Sequence, residues 1–169
     1  MANWCRGILK IRGTRENIIK FLTEEVVYFV AEKQSDGKYK NIAIPLLNVN
    51  AEYKEGIEFE ECSRDLKLNI KYFKRCLGGV INCLLSEESF EREDGTYIVP
   101  FDFETKWGII PDEFIALSKT CGVDIRGKFY ECGMEFTQEI EVIDGDLTLW
   151  KELDYKDYEW ECENPYWGG

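Results

Sequence analysis

The chain contains no histidine. That removes the commonest general base, the usual partner of a nucleophilic Ser or Cys, and the commonest transition-metal ligand. It also lacks GxxxxGK followed by Ser or Thr, GxGxxG, HExxH and GxSxG, so the standard phosphate cradles and nucleophile elbows are missing. No apolar run approaches the roughly 18 to 20 residues of a membrane-crossing helix. The opening MANWCRGILKIRG lacks the unbroken apolar stretch of a signal peptide. Seven cysteines, at positions 5, 62, 76, 83, 121, 132 and 162, include no CxxC pair, and an odd count fits reduced core thiols better than a closed disulfide framework. The expectation is a cytoplasmic protein that is not an enzyme and has no cofactor, no metal and no membrane contact.

What is present is core material and negative charge. With 169 residues, 44% of them hydrophobic and 14% aromatic, the chain can bury one proper core, and we expect a single domain over 1–169. The net charge of −12 is unevenly placed: residues 131–169 carry 12 acidic and 2 basic side chains, against 21 and 19 in residues 1–130. Such a surface repels nucleic acid directly and steers toward basic partners. With 33 carboxylates in the chain, no acid and base pair of a glycosidase type can be singled out.

Along the chain, GILKIRG (7–13) alternates as a strand, and Thr14 caps a helix that carries Ile18, Phe21 and Leu22 inward. The helical spacing of Leu22, Val26, Phe29 and Val30 extends that helix through EEVVYFVAEK. SDGK (35–38) is a turn, followed by the strands NIAIPLL and IEFEE. Residues 65–85 step apolar positions by three and four and predict a helix, whose Lys67, Lys71, Lys74 and Arg75 form an ordinary solvated face. A strand lies within 95–108, a helix opens at Pro111 and ends at Gly122, and two strands, VDIRGKFYE and MEFTQEIEVIDG, follow. LTLWKEL is a further strand or a short helix, and NPYWGG should fray. YEWECE (158–163) alternates aromatic or thiol with glutamate, which predicts a strand with Tyr158, Trp160 and Cys162 on one side and Glu159, Glu161 and Glu163 in line on the other. In MEFTQEIEVIDG the row is Glu135, Glu139 and Glu141. Trp4, Cys5 and Trp107 read as core.

NWCRGILKIRG followed by a short helix resembles the NWCxNxLxIxG signature of the YubB-type ferredoxin-like domain family of phages and plasmids, and FETKWGIIPDEFIALSKTCGVDIRGKFYECGMEF is similar to that family's later segment. Gly7 stands where the family usually has asparagine, and Gln138 where it usually has glycine. The resemblance implies an α+β, ferredoxin-like split βαβ core and a home in mobile elements inside a bacterial host cell. The element order agrees, with core 1–44 and 95–145, an inserted β/helix middle segment 45–94, and an acidic C-terminal extension 146–169.

The functional expectation is a phage or mobile-element accessory protein that binds and inhibits a host nucleic-acid-handling defence complex, such as a CRISPR-Cas effector. An acidic, nucleic-acid-mimicking surface would occupy a basic groove of that host protein or nucleoprotein complex, because strands carrying alternating glutamates approach the charge spacing of a nucleic-acid backbone. The candidate contacts are Glu135, Glu139, Glu141, Asp154, Asp157, Glu159, Glu161 and Glu163, with Trp160 as an aromatic anchor that its strand neighbours would turn toward the core. The alternatives are a small-ligand or nucleotide-binding ferredoxin-like module, and a structural interaction protein without inhibitory activity.

Overall fold

The structure is a computed structural model that describes residues 3–33, 36–45, 66–68, 76–78 and 92–169. Among these, nine strands form one antiparallel sheet: β1 (Trp4–Gly13), β2 (Val26–Lys33), β3 (Tyr39–Pro45), β4 (Leu66–Leu68), β5 (Cys76–Gly78), β6 (Tyr97–Lys106), β7 (Asp124–Glu131), β8 (Phe136–Ile143) and β9 (Asp146–Asp154). Their spatial order is β3-β2-β4-β5-β6-β1-β7-β8-β9. The helices are α1 (Arg15–Lys20), continued by a π-helical turn Phe21–Glu25, α2 (Pro111–Cys121) and α3 (Tyr158–Glu161). The class is α+β.

β1 is central. It pairs antiparallel with β6 on one side and β7 on the other, so those two strands run parallel to each other, joined by the α2 crossover. Inward residues of these strands (Leu9, Ile11, Phe101, Phe103, Ile125, Phe129) meet Ile18, Phe21 and Leu22 from α1 and its extension, and Phe114, Leu117 and Cys121 from α2. Both helices therefore cover one face. Phe103, Phe114 and Phe129 form a mutually tilted aromatic cluster with centroids 5.1 to 6.4 Å apart, the range in which aromatic pairs attract beyond simple burial.

The helix ends follow local chemistry. Thr14 Oγ1 accepts the Asn17 amide at α1, Pro111 opens α2, and Gly122 closes it in the left-handed conformation, φ 67°. Asp144-Gly145, with φ 51° and 76°, makes the two-residue β8–β9 turn.

Three expectations about elements are overturned. Residues 26–33 form strand β2, because the wide π turn ends the helix and the β-branched and aromatic run enters the sheet between β3 and β4. Residues 66–68 and 76–78, expected within a helix, pair with each other and with β2 and β6; Lys71, Lys74 and Arg75, and IEFEE, lie outside the described residues. Residues 158–161 are helical, not extended. LTLWKEL lies within strand β9.

Candidate protein-binding surface

After β9 the chain crosses to the sheet face that α1 and α2 leave uncovered. Asp157 caps α3 by accepting the Trp160 amide at 3.3 Å, and the Cys162 amide donates to the Tyr158 carbonyl. At helical spacing Tyr158 and Cys162 share a side, and both are buried against Tyr130 of β7, with Cys132 and Tyr155 alongside. Trp160 falls on the opposite side and is 86% exposed. The expectation that it faces the core fails because one helical turn replaces the alternating strand. Tyr166 is 85% exposed on the same segment.

The end of the chain is held. Trp167 packs edge-on to Tyr130 (5.6 Å), the Gly169 amide donates to the Trp4 carbonyl (2.8 Å), and the Cys132 thiol donates to the Gly168 carbonyl (3.0 Å). NPYWGG therefore docks where fraying was expected. Burial pushes the Tyr158 phenol well above its ordinary range, reinforced by Cys162; its hydroxyl has no nitrogen or oxygen partner.

The candidate carboxylates divide into two groups. Glu139 and Glu141 lie on β8 and are answered across the ladder, Glu139 by Lys151 of β9 (4.0 Å) and Glu141 by Arg126 of β7 (3.5 Å). Glu163 meets Lys128 of β7 at 2.5 Å and accepts from the Tyr130 hydroxyl at 3.3 Å. The lysine holds the Glu163 carboxyl below its ordinary range, and the pairing raises Lys128. With Arg6–Glu104 and Arg12–Asp124 the same face alternates cations and anions from strand to strand. The expected acidic sheet face is thus a chequerboard, because β1 and β7 interleave basic side chains that a strand read alone does not show. Glu135, at φ 60° in the β7–β8 turn, Asp154 at the end of β9, Asp157, Glu159 and Glu161 are exposed. Among the described residues none of these five forms an ion pair.

Sequence reasoning passed over Glu131 and met Gln138 only as a departure from the resembling family. Glu131 is fully buried and accepts the Gly133 and Met134 amides, which shapes the turn that presents Glu135; the signal was an acid two residues before a glycine. Gln138 accepts the Ile109 amide and donates to Glu152, pinning the loop after Trp107 to β8 and β9. Trp107, expected in the core, is 58% exposed at φ 72° and donates its amide to the Asn3 carbonyl. Cys5, Cys121, Cys132 and Cys162 are thiols. Among the described residues no helix is long and apolar enough to cross a membrane, and no group of three or more Cys, Asp or Glu is placed to share a metal.

No family model, curated protein or solved structure matches the chain. A short capped helix that exposes an indole between two carboxylates, beside further unanswered acids, has the composition of a protein contact: an aromatic anchor ringed by charge.

Proposed function

We propose that the chain is a binding protein of a phage or other mobile element that inhibits a host nucleic-acid-handling complex, with a CRISPR-Cas effector as the sharpest case, by docking its acidic C-terminal surface in a basic groove. The observation that carries this reading is Trp160, 86% exposed between Glu159 and Glu161 on a helix whose other side is fixed to the sheet. The contact set narrows to Trp160, Glu159, Glu161, Asp157, Asp154 and Glu135, since Glu139, Glu141 and Glu163 already have cationic neighbours. We read the β6-β1-β7 arrangement, with α1 and α2 on one face, as a ferredoxin-like core into which β4 and β5 are wedged between β2 and β6. That reading agrees with the resemblance to the YubB-type family and supports a mobile-element setting.

The test is retention of a partner from host lysate at low and high salt, followed by competition with DNA and a cleavage assay of the retained complex. A groove evolved for phosphates should release the protein as salt rises and when DNA is added. Glu159→Lys with Glu161→Lys, and separately Trp160→Ala, should abolish retention and inhibition. If both variants inhibit as well as the parent, these side chains are solubilising surface only.

A further inference from the structure

The inward side of the C-terminal segment raises a separate question, independent of what its outward side binds. Residues 155–169 do not join the main core; they form their own small cluster with Tyr130 and Cys132 on the opposite face of the sheet. Their anchors have the form of peptide recognition: one carboxylate held by a cation and a phenol, one aromatic ring on another, main-chain hydrogen bonding, and a position with no space for a side chain. The carboxylate is Glu163 on Lys128 and Tyr130, and the Lys128 ammonium itself stands 5.5 Å from the Tyr130 ring centroid. The aromatic anchor is Trp167 on Tyr130. The main-chain bond is Gly169 N–H to the Trp4 carbonyl. The position without space is Gly168, at φ 86°, where a Cβ would collide with the Trp4 carbonyl and come within 2.5 Å of the Tyr130 carbonyl. Only four residues of the segment are helical, so little regular structure has to break for it to leave. One buried group also gains from departure, because the Tyr158 hydroxyl, which has no nitrogen or oxygen partner, would regain water.

We infer that the sheet face around Trp4, Lys128, Tyr130 and Cys132 is a peptide-binding site, that residues 155–169 are its built-in occupant, and that its external ligand is an acidic peptide bearing an aromatic residue. Nucleic acid fits the face less well. Arg6, Arg12 and Arg126 are matched by Glu104, Asp124 and Glu141 of the sheet itself, which leaves Lys128, answered by the segment's Glu163, and Lys106, 5.7 Å from the Trp4 ring centroid, as the cations beside Trp4 and Tyr130; two such cations suit a short acidic peptide better than a phosphate chain.

The probe is a fluorescein-labelled synthetic peptide of residues 155–169, titrated by anisotropy with the full chain. Tethered segments compete at millimolar effective concentration, so the parent should bind the probe weakly. Glu163→Gln with Trp167→Ala in the protein should tighten probe binding about tenfold or more by weakening the internal competitor. Adding Lys128→Glu should remove that gain, and a probe carrying Glu163→Lys should not bind. Hydrogen exchange on the same variant should show β1 and β7 still protected while residues 155–169 lose protection. Equal binding by parent and variant, a gain that survives Lys128→Glu, a segment that stays protected, or tighter binding of labelled oligothymidylate than of the peptide would each overturn the inference. If the double variant fails to fold, Glu163→Gln alone must show a smaller gain with the same Lys128 dependence, and no gain overturns it equally.

Discussion

Gly7 lies on the helix-facing side of β1, in register with Phe129 of β7 and Phe103 of β6. A Cβ there would overlap the Lys128 carbonyl, which is backbone and cannot step aside. Gly7→Ala should therefore destabilise by about 3 kcal/mol, the upper end of overpacking, and Gly7→Asn by more, measured by urea unfolding. The asparagine of the resembling signature has no place at this position while β1 and β7 keep their present approach. Cys121 supplies a second test. Burial, reinforced by Glu25, pushes its thiol up to about 11. Because the thiolate is the reactive form, alkylation of native protein followed by peptide mass spectrometry should find the half-exposed Cys132 modified before the buried Cys5, Cys121 and Cys162, and Cys121 modified only in strongly alkaline solution.

Ser118 couples two elements: its hydroxyl donates to the Val123 carbonyl (2.6 Å) and accepts the Gly145 amide (3.0 Å), tying the C-terminus of α2 to the β8–β9 turn. Ser118→Ala leaves a buried N–H without a partner and should cost about 1 to 3 kcal/mol in urea unfolding. Elements with local signals were legible: Thr14, Pro111 and Gly122 mark helix ends, and β6, β7 and β8 alternate as one-sided strands should. β2 was not, because Leu22, Val26, Phe29 and Val30 fit helical spacing, and what holds 26–33 extended is pairing with β3 and β4, which lie elsewhere in the chain. α3 misled for a different reason. Tyr158 and Cys162 are four apart, a spacing that satisfies both a period of two and a period of 3.6, so only Trp160 distinguishes the readings. The carboxylates of the candidate site were legible as residues, but which of them remain unanswered depended on strand order. Accordingly Trp160→Ala should leave stability within about 0.5 kcal/mol of the parent, as for an exposed side chain. Tyr158→Ala should release the C-terminal segment from hydrogen-exchange protection.

At the scale of the molecule, one of the contacts that attach residues 155–169, the exposed Glu163–Lys128 pair, responds to acid. Lys128 depresses Glu163 in the folded protein, whereas in an unfolded chain a glutamate titrates near about 4.3. The stabilisation this pair contributes is complete above that value and is lost as pH falls through the lower folded value. Because the pair is exposed its share is small, so protection of residues 155–169 should hold from neutrality to about pH 5 and then fall only slightly while the main core stays closed, and Lys128→Met should remove this small dependence. The place of β1 bears on how the chain reaches this state at all. Its neighbours are distant in sequence: Arg6 meets Glu104 and Arg12 meets Asp124, separations of 98 and 112 residues. On a ribosome adding about 5 to 20 residues per second, β1 emerges some 5 to 20 s before either neighbouring strand exists. For that interval Leu9 and Ile11 have no sheet to enter. Refolding of the isolated protein should be correspondingly slow, in the millisecond to second range of long-range β pairing, and newly made chains should depend on holding chaperones until β7 has been translated.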